Sequence, residues 1–420
     1  MESESTLAEW SPGRARGSNP SKTGKALLVT GAALGMLVGF SAVYFSTLSL
    51  FLKPIAATFG WGRAQTSAIS VLAQLGLAMG APFVGRLIDR FGANRVIPVS
   101  VVLFAIGMAT LSVLPTSIVF FGGMSFLLGV MAVGTTPTGY LSVLPGAFDR
   151  RLGCAMGIAM VGLGCGNALM PLLTEHWMAA GGWRVAYQYL AATTLAGGLL
   201  AVVLFSSVPG HARRHRTEAI ELPGIGFRGA IRSSRFWVIA AILFVISAAG
   251  LGAIVHMVPL LTDRGFPSQQ ASQIAALIGV GVMVGRVGTG LLIDMAHAPY
   301  VAAVSFLMGA TGLALIALQP DASMATVGTG AFLFAFAIGA EGDFIPFFVR
   351  RYFGLRQFGS LYGTLFFVFA LGGVVGPVLY GLAFDMTGSY TTAFASATAA
   401  CTASAIAVSL LGKYRYAARD

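Results

Sequence analysis

"GRLIDRFG" (residues 85–92) and "GLLIDMAH" (residues 290–297) place Asp89 and Asp294 at the same point of two similar phrases, 205 positions apart. The same displacement pairs Gly60 with Gly265 and Gly134 with Gly339, and one further residue pairs Pro171 with Pro377. Each phrase joins two long apolar runs. An internal repeat of this length, in one membrane orientation, describes two parallel bundles about a pseudo-twofold axis along the membrane normal, with a site between them at the midplane. The expected architecture is therefore an all-α polytopic membrane protein, twelve transmembrane helices arranged as two pseudo-symmetric six-helix bundles.

The composition agrees. Of 420 residues, 56% are hydrophobic and 10% charged, against about 25% charged in soluble domains. Runs long enough to cross a bilayer fall near 26–54, 64–85, 96–114, 117–145, 153–177, 185–207, 236–262, 269–293, 298–318, 324–349, 359–383 and 389–411; they are numbered below as spans 1 to 12. The organisation read from them is an N-terminal tail (1–25), a first bundle (26–207), a linker (208–235), a second bundle (236–411) and a short tail (412–420).

The formal net charge of +11 resembles that of a nucleic-acid binder, but the distribution argues otherwise. Basic residues gather between alternate spans, at Arg86, Arg90 and Arg95, at Arg150 and Arg151, through the linker, and at Arg350, Arg351 and Arg356. The opposite loops hold only Lys53, Arg63, Arg184 and Arg264. This asymmetry obeys the positive-inside rule and predicts both termini in the cytoplasm, in a multi-pass protein of the cell (inner) membrane. No nucleic-acid partner is needed. Residues 1–25 lack the apolar centre of a signal peptide, and Cys154, Cys165 and Cys401 show no metal or disulfide spacing.

"GRLIDRFGANR" (85–95) resembles the loop motif of the major facilitator superfamily, and the likeness extends over nearly all of 26–411. Gly85 admits a neighbouring helix, Asp89 can face the positive end of that helix, and Arg90 and Arg95 can meet headgroups or carbonyls. The implied role is a latch for one conformational state. Three further stretches, "FLKPIAATFGWGRAQTS" (51–67), "HMVPLLTDRGFPSQQAS" (256–272) and "VGRVGTGLLIDM" (284–295), resemble the bacterial monocarboxylate and oxalate transporter-like branch. That resemblance implies an arginine on span 8 that meets the substrate carboxylate, and Arg286 stands at the matching place. Two features depart from the pattern: no lysine occupies the interior of span 1 or span 11, and Val282 stands where an acid precedes the arginine by one turn.

Charge inside a bilayer costs roughly 2.5–3.5 kcal/mol per residue even on lenient scales. Arg286, Glu341 and Asp343 bear that cost, the last two within "FAFAIGAEGDFIPFFVRR" (334–351). Arg286 and Glu341 share a depth, each about seventeen residues from its span's start at 1.5 Å per residue. Two rungs are expected: Arg286 with Glu341 or Asp343, and lower down Asp294 with Arg350 or Arg351. The repeat sets Ala81, Thr136 and Thr138 opposite Arg286, Glu341 and Asp343, so one half folds without the upper charges. A guanidinium suits a carboxylate guest, and a nearby acid would take a proton when that guest binds. The expectation is proton-coupled symport of a monocarboxylate or related organic anion, with Glu341 and Asp343 as the proton site. Tyr44, Ser46, Asn167, His256, Tyr362, Phe366 and Phe369 are further candidates to line the substrate path.

Proton-coupled efflux of a drug-like compound, or uptake of a larger solute such as an iron chelate, remains the alternative. Span 5 reads "GLGCGNALMPLL" (162–173), where Pro171 lacks the preceding glycine usual in drug/proton antiporters. An enzyme is not expected, since no nucleophile with a base, metal cluster or Walker-type loop appears. No cofactor is implied. The expected partners are a small organic anion, protons and membrane lipids, handled by a monomer.

Overall fold

Lipid offers backbone N–H and C=O groups no partners, so apolar runs of this length must satisfy them internally, as helices. A computed structural model describes residues 21–61, 63–113, 117–145, 147–148, 151–208, 224–317 and 323–416. All twelve spans are helical. Span 1 comprises Lys22–Leu37, a π turn at Ser41–Phe45 and Leu48–Phe59. Spans 2 and 3 are Arg63–Phe91 and Ala93–Leu111. Span 4 begins as Ile118–Ala132 and continues in short turns to Val143, with extended backbone at Thr136. Spans 5 and 6 form one run, Leu152–Ser206, broken at Gly182. Spans 7 to 9 are Ser234–Asp263, Ser268–Met295 and Ala298–Ala317. Span 10 is Met324–Phe348 with a π turn at Val349–Phe353, and spans 11 and 12 are Phe358–Thr387 and Thr391–Ser409.

Packing repeats in each half. Span 1 lies against the Leu152–Ser206 helix as span 7 lies against span 11, and span 2 lies against span 4 as span 8 lies against span 10. The seam between halves is likewise doubled, span 2 on span 11 and span 5 on span 8. Without a hydrophobic drive between helices in lipid, close packing over small residues supplies the attraction. A Cβ on Gly129 would run into the carbonyl of Ala73, and one on Gly339 into that of Val282. Gly60 and Gly265, matched by the repeat, both close their helices at positive φ, 70° and 83°.

Gly182 has φ 76° and ψ 178°, a region open in practice only to glycine, and no heavy atom lies within 4 Å of a Cβ placed there. Gly182→Ala should therefore cost backbone strain alone, about 1–3 kcal/mol, read as a lower melting temperature in detergent.

Two segments strap the arginine-rich end of the bundle. The end of the linker pairs with the span 10–11 connection through Ile225 N–H to Phe353 O (2.9 Å) and Phe227 N–H to Gln357 Oε1. At the C-terminal tail, the Tyr414 hydroxyl accepts Ala298 N–H (2.6 Å) and the Tyr352 hydroxyl donates to Gly412 O (2.8 Å). Burial pushes the Tyr414 hydroxyl above its ordinary pKa, against the opposing pull of the Ala298 bond and Arg351.

Candidate functional site

The first N–H groups of a helix have no partner within it, and a Ser, Thr, Asp or Asn at the N-cap usually supplies one. Spans 5 and 11 begin instead after Arg151 and Gln357, neither of which caps its helix. The missing acceptors come from the other half. Asp89, at the end of span 2, accepts Gly359 N–H (2.7 Å), Ser360 N–H (2.7 Å) and the Ser360 hydroxyl (2.5 Å). Asp294, at the end of span 8, accepts Gly153 N–H (2.8 Å) and Cys154 N–H (2.7 Å). Each carboxylate also meets the positive pole of the helix it caps. The motif aspartate and its repeat mate thus clasp the halves together at the arginine-rich end.

Glycines make the clasps reachable. A Cβ on Gly85 would strike the Gly359 carbonyl, and one on Gly363 the Ala81 carbonyl. On the other seam, a Gly153 Cβ would lie 2.5 Å from Gly290 O and a Gly157 Cβ 3.5 Å from Arg286 O. Arg90 and Arg95 are exposed, with Arg90 over the ring of Phe91 at 5.2 Å. At the lower rung the charge of Arg351 acts on Asp294 through space, while the hydrogen bonds to Asp294 come from backbone amides. Asp294 spends both oxygens on span 5, and Arg350 donates across the seam to the Phe148 carbonyl. Backbone amides at a helix start are fixed donors that need no side-chain ordering, which explains why they take the carboxylate.

On the upper level, Arg286 sits on span 8 where span 10 packs closely, its backbone N 3.0 Å from a Cβ placed on Gly339. Its Nε and Nη1 are buried without a hydrogen-bond partner. Glu341 is 6% exposed, and its Oε2 is likewise unpartnered. The charge of Arg286 acts on Glu341, yet these atoms form no hydrogen bond, so the expected upper rung is a through-space pair. Glu341 faces the interior of its own half, closely packed among Ile246 and Gly250 of span 7, Phe306 and Gly309 of span 9 and Cys401 of span 12. Gly342, next in sequence, faces Met160 across the seam at 4.0 Å. Asp343 lies on span 10, and its side chain falls outside the described ones.

The remaining candidates scatter. Tyr44, in the π turn of span 1, is buried and stacked on Phe40 (5.2 Å); its hydroxyl faces that of Ser125 outside hydrogen-bond geometry. Ser46 donates to its own helix at Ala42 O (2.5 Å). Asn167 is exposed. His256 Nε2 donates to Pro377 O (3.0 Å), and the ring stacks on Tyr380, a brace between spans 7 and 11. Tyr362 is buried and continues an aromatic ladder from Phe358 through Phe366 to Phe369, with successive centroids 5.9, 6.4 and 6.1 Å apart. Sequence reading missed Ser360 and Cys154 in the clasps. The signal was present, because the displacement of Pro171 and Pro377 also pairs "GC" (153–154) with "GS" (359–360). It also missed the fully buried, unpartnered hydroxyls of Thr138 and Thr289.

Two six-helix halves joined by paired clasps, with unpartnered charge at mid-depth, define a membrane carrier rather than an enzyme. A profile of the Major Facilitator Superfamily matches residues 32–377, and the chain belongs to that family. Monocarboxylate transporter 11 of Mus musculus is 28% identical over 376 residues, covering 86% of this chain and 82% of the relative. The 2-nitroimidazole transporter of Escherichia coli is 25% identical over 385 residues, covering 88% and 92%. Among solved structures, FucP in the outward conformation superposes with a TM-score of 0.70 at 14% identity, over 93% of this chain and 98% of that one, a likeness of fold.

Proposed function

We propose that this carrier moves a monocarboxylate together with a proton by alternating access, with the arginine-rich end in the cytoplasm of a bacterial inner membrane. The observation that carries the reading is Arg286, half-buried within a span, with its Nε and Nη1 enclosed and unpartnered. Enclosed guanidinium N–H groups without an acceptor are costly, and a guest carboxylate supplies the bidentate partner they lack. Binding neutralises Arg286 and removes the field it exerts on Glu341. An ionised Glu341 would then be an uncompensated buried charge, and taking a proton removes it. Substrate and proton thus load together, and the loaded carrier swings without unpaired charge. The mouse relative named a monocarboxylate transporter supports the substrate class. Basic residues on alternate loops support the orientation.

The test is uptake of labelled mono- and dicarboxylates into proteoliposomes under an inward proton gradient. A monocarboxylate should accumulate in the parent. Arg286→Gln should lose uptake by at least tenfold, while Glu341→Gln should retain exchange and lose gradient-driven accumulation. Should no organic acid move, and Arg286→Gln only lower the melting temperature, the reading fails and efflux substrates become the next panel.

A further inference from the structure

The two clasps occupy repeat-related places, but they are not equal. Gly359 and Ser360 on span 11 match Gly153 and Cys154 on span 5, each pair donating two backbone N–H groups to one carboxylate. The Ser360 hydroxyl adds a third bond to Asp89 at 2.5 Å. Its counterpart is the thiol of Cys154, a weak donor, and the bonds described to Asp294 are the two from backbone N–H groups.

We infer that Ser360 and Cys154 are positioning residues that set unequal strengths for the clasps, so that the span 5–span 8 seam releases before the span 2–span 11 seam when the arginine-rich end opens. The linker reinforces the difference. The start of span 11 is strapped from outside, its cap residue Gln357 accepting Phe227 N–H, with Arg86 of span 2 stacked 5.6 Å over the Phe227 ring. The linker therefore holds span 11 near span 2. On the other seam, the cross-seam bond from Arg350 reaches Phe148 O in the loop ahead of span 5 and not the helix start itself, where Asp294 is the described acceptor of the Gly153 and Cys154 amides. A hydrogen bond to a charged group contributes enough to shift a local equilibrium about tenfold. Position 154 is accordingly where a single hydroxyl would equalise the two.

Hydrogen–deuterium exchange on the full chain in lipid nanodiscs tests this without substrate or proton gradient, so its outcome is independent of the transport reading. In the parent, the amides at 153–154 should exchange about tenfold faster than those at 359–360 after correction for intrinsic rates. Cys154→Ser should slow the span 5 amides toward the span 11 rate, Ser360→Ala should speed the span 11 amides, and Ser360→Thr, which keeps the hydroxyl, should restore protection. Equal exchange at both sites in the parent would show the halves opening as one rigid body and overturn the inference. Unchanged span 5 rates in Cys154→Ser would overturn it too.

Discussion

Gly85→Val is expected to cut transport about tenfold or more while leaving the protein folded. The valine side chain would collide with the backbone of Gly359, and backbone at a helix start cannot rotate aside as a side chain can. The contact lies between halves, however, and in the proposed alternating-access cycle the halves can part to relieve it. Overpacking of this kind costs about 1–3 kcal/mol or more, and 1.4 kcal/mol is tenfold in population. The closed state of the arginine-rich end should fall about tenfold or more. In proteoliposomes the rate should drop by at least that factor, with a melting temperature within a few degrees of the parent. Normal transport by Gly85→Val would mean that the seam described here is not part of the working cycle.

Gly339→Val presents a similar collision, against the Val282 carbonyl and the Arg286 N–H, with the opposite result. Spans 8 and 10 belong to one half and have no open arrangement to retreat to. The cost falls on the fold, again about 1–3 kcal/mol or more, and should appear as a lowered melting temperature and poor recovery from the membrane. Because Arg286 is the residue displaced, any surviving protein should also lose uptake. A variant that melts like the parent would contradict the tight span 8–span 10 packing.

Much of this was legible in the chain. The twelve spans follow from apolar runs in a solvent that leaves helix as the local answer, and the two halves follow from a repeat that carries Gly60 onto Gly265 and Asp89 onto Asp294. Asp89 could be placed at a helix start because a carboxylate beside "GRLIDRFG" needs a donor and a positive pole provides one. Asp294 could have been placed likewise from the "GC" and "GS" pairs. Charge complementarity by depth pointed to Arg350 or Arg351 instead; the charge of Arg351 does act on Asp294, but depth says nothing about which donors a side chain turns to around its helix.

That rotation is what tertiary structure decided. Glu341 and Gly342 are adjacent, yet one faces the core of its own half and the other faces Met160 across the seam, because successive residues on a helix point about 100° apart. His256, a titratable group in sequence, is engaged by the Pro377 carbonyl. Local physics settles which residues lie in the membrane and that they are helical. Only packing settles which face each presents, and hence that Arg286 and Glu341 are left without hydrogen-bond partners while Asp89 and Asp294 hold the halves together.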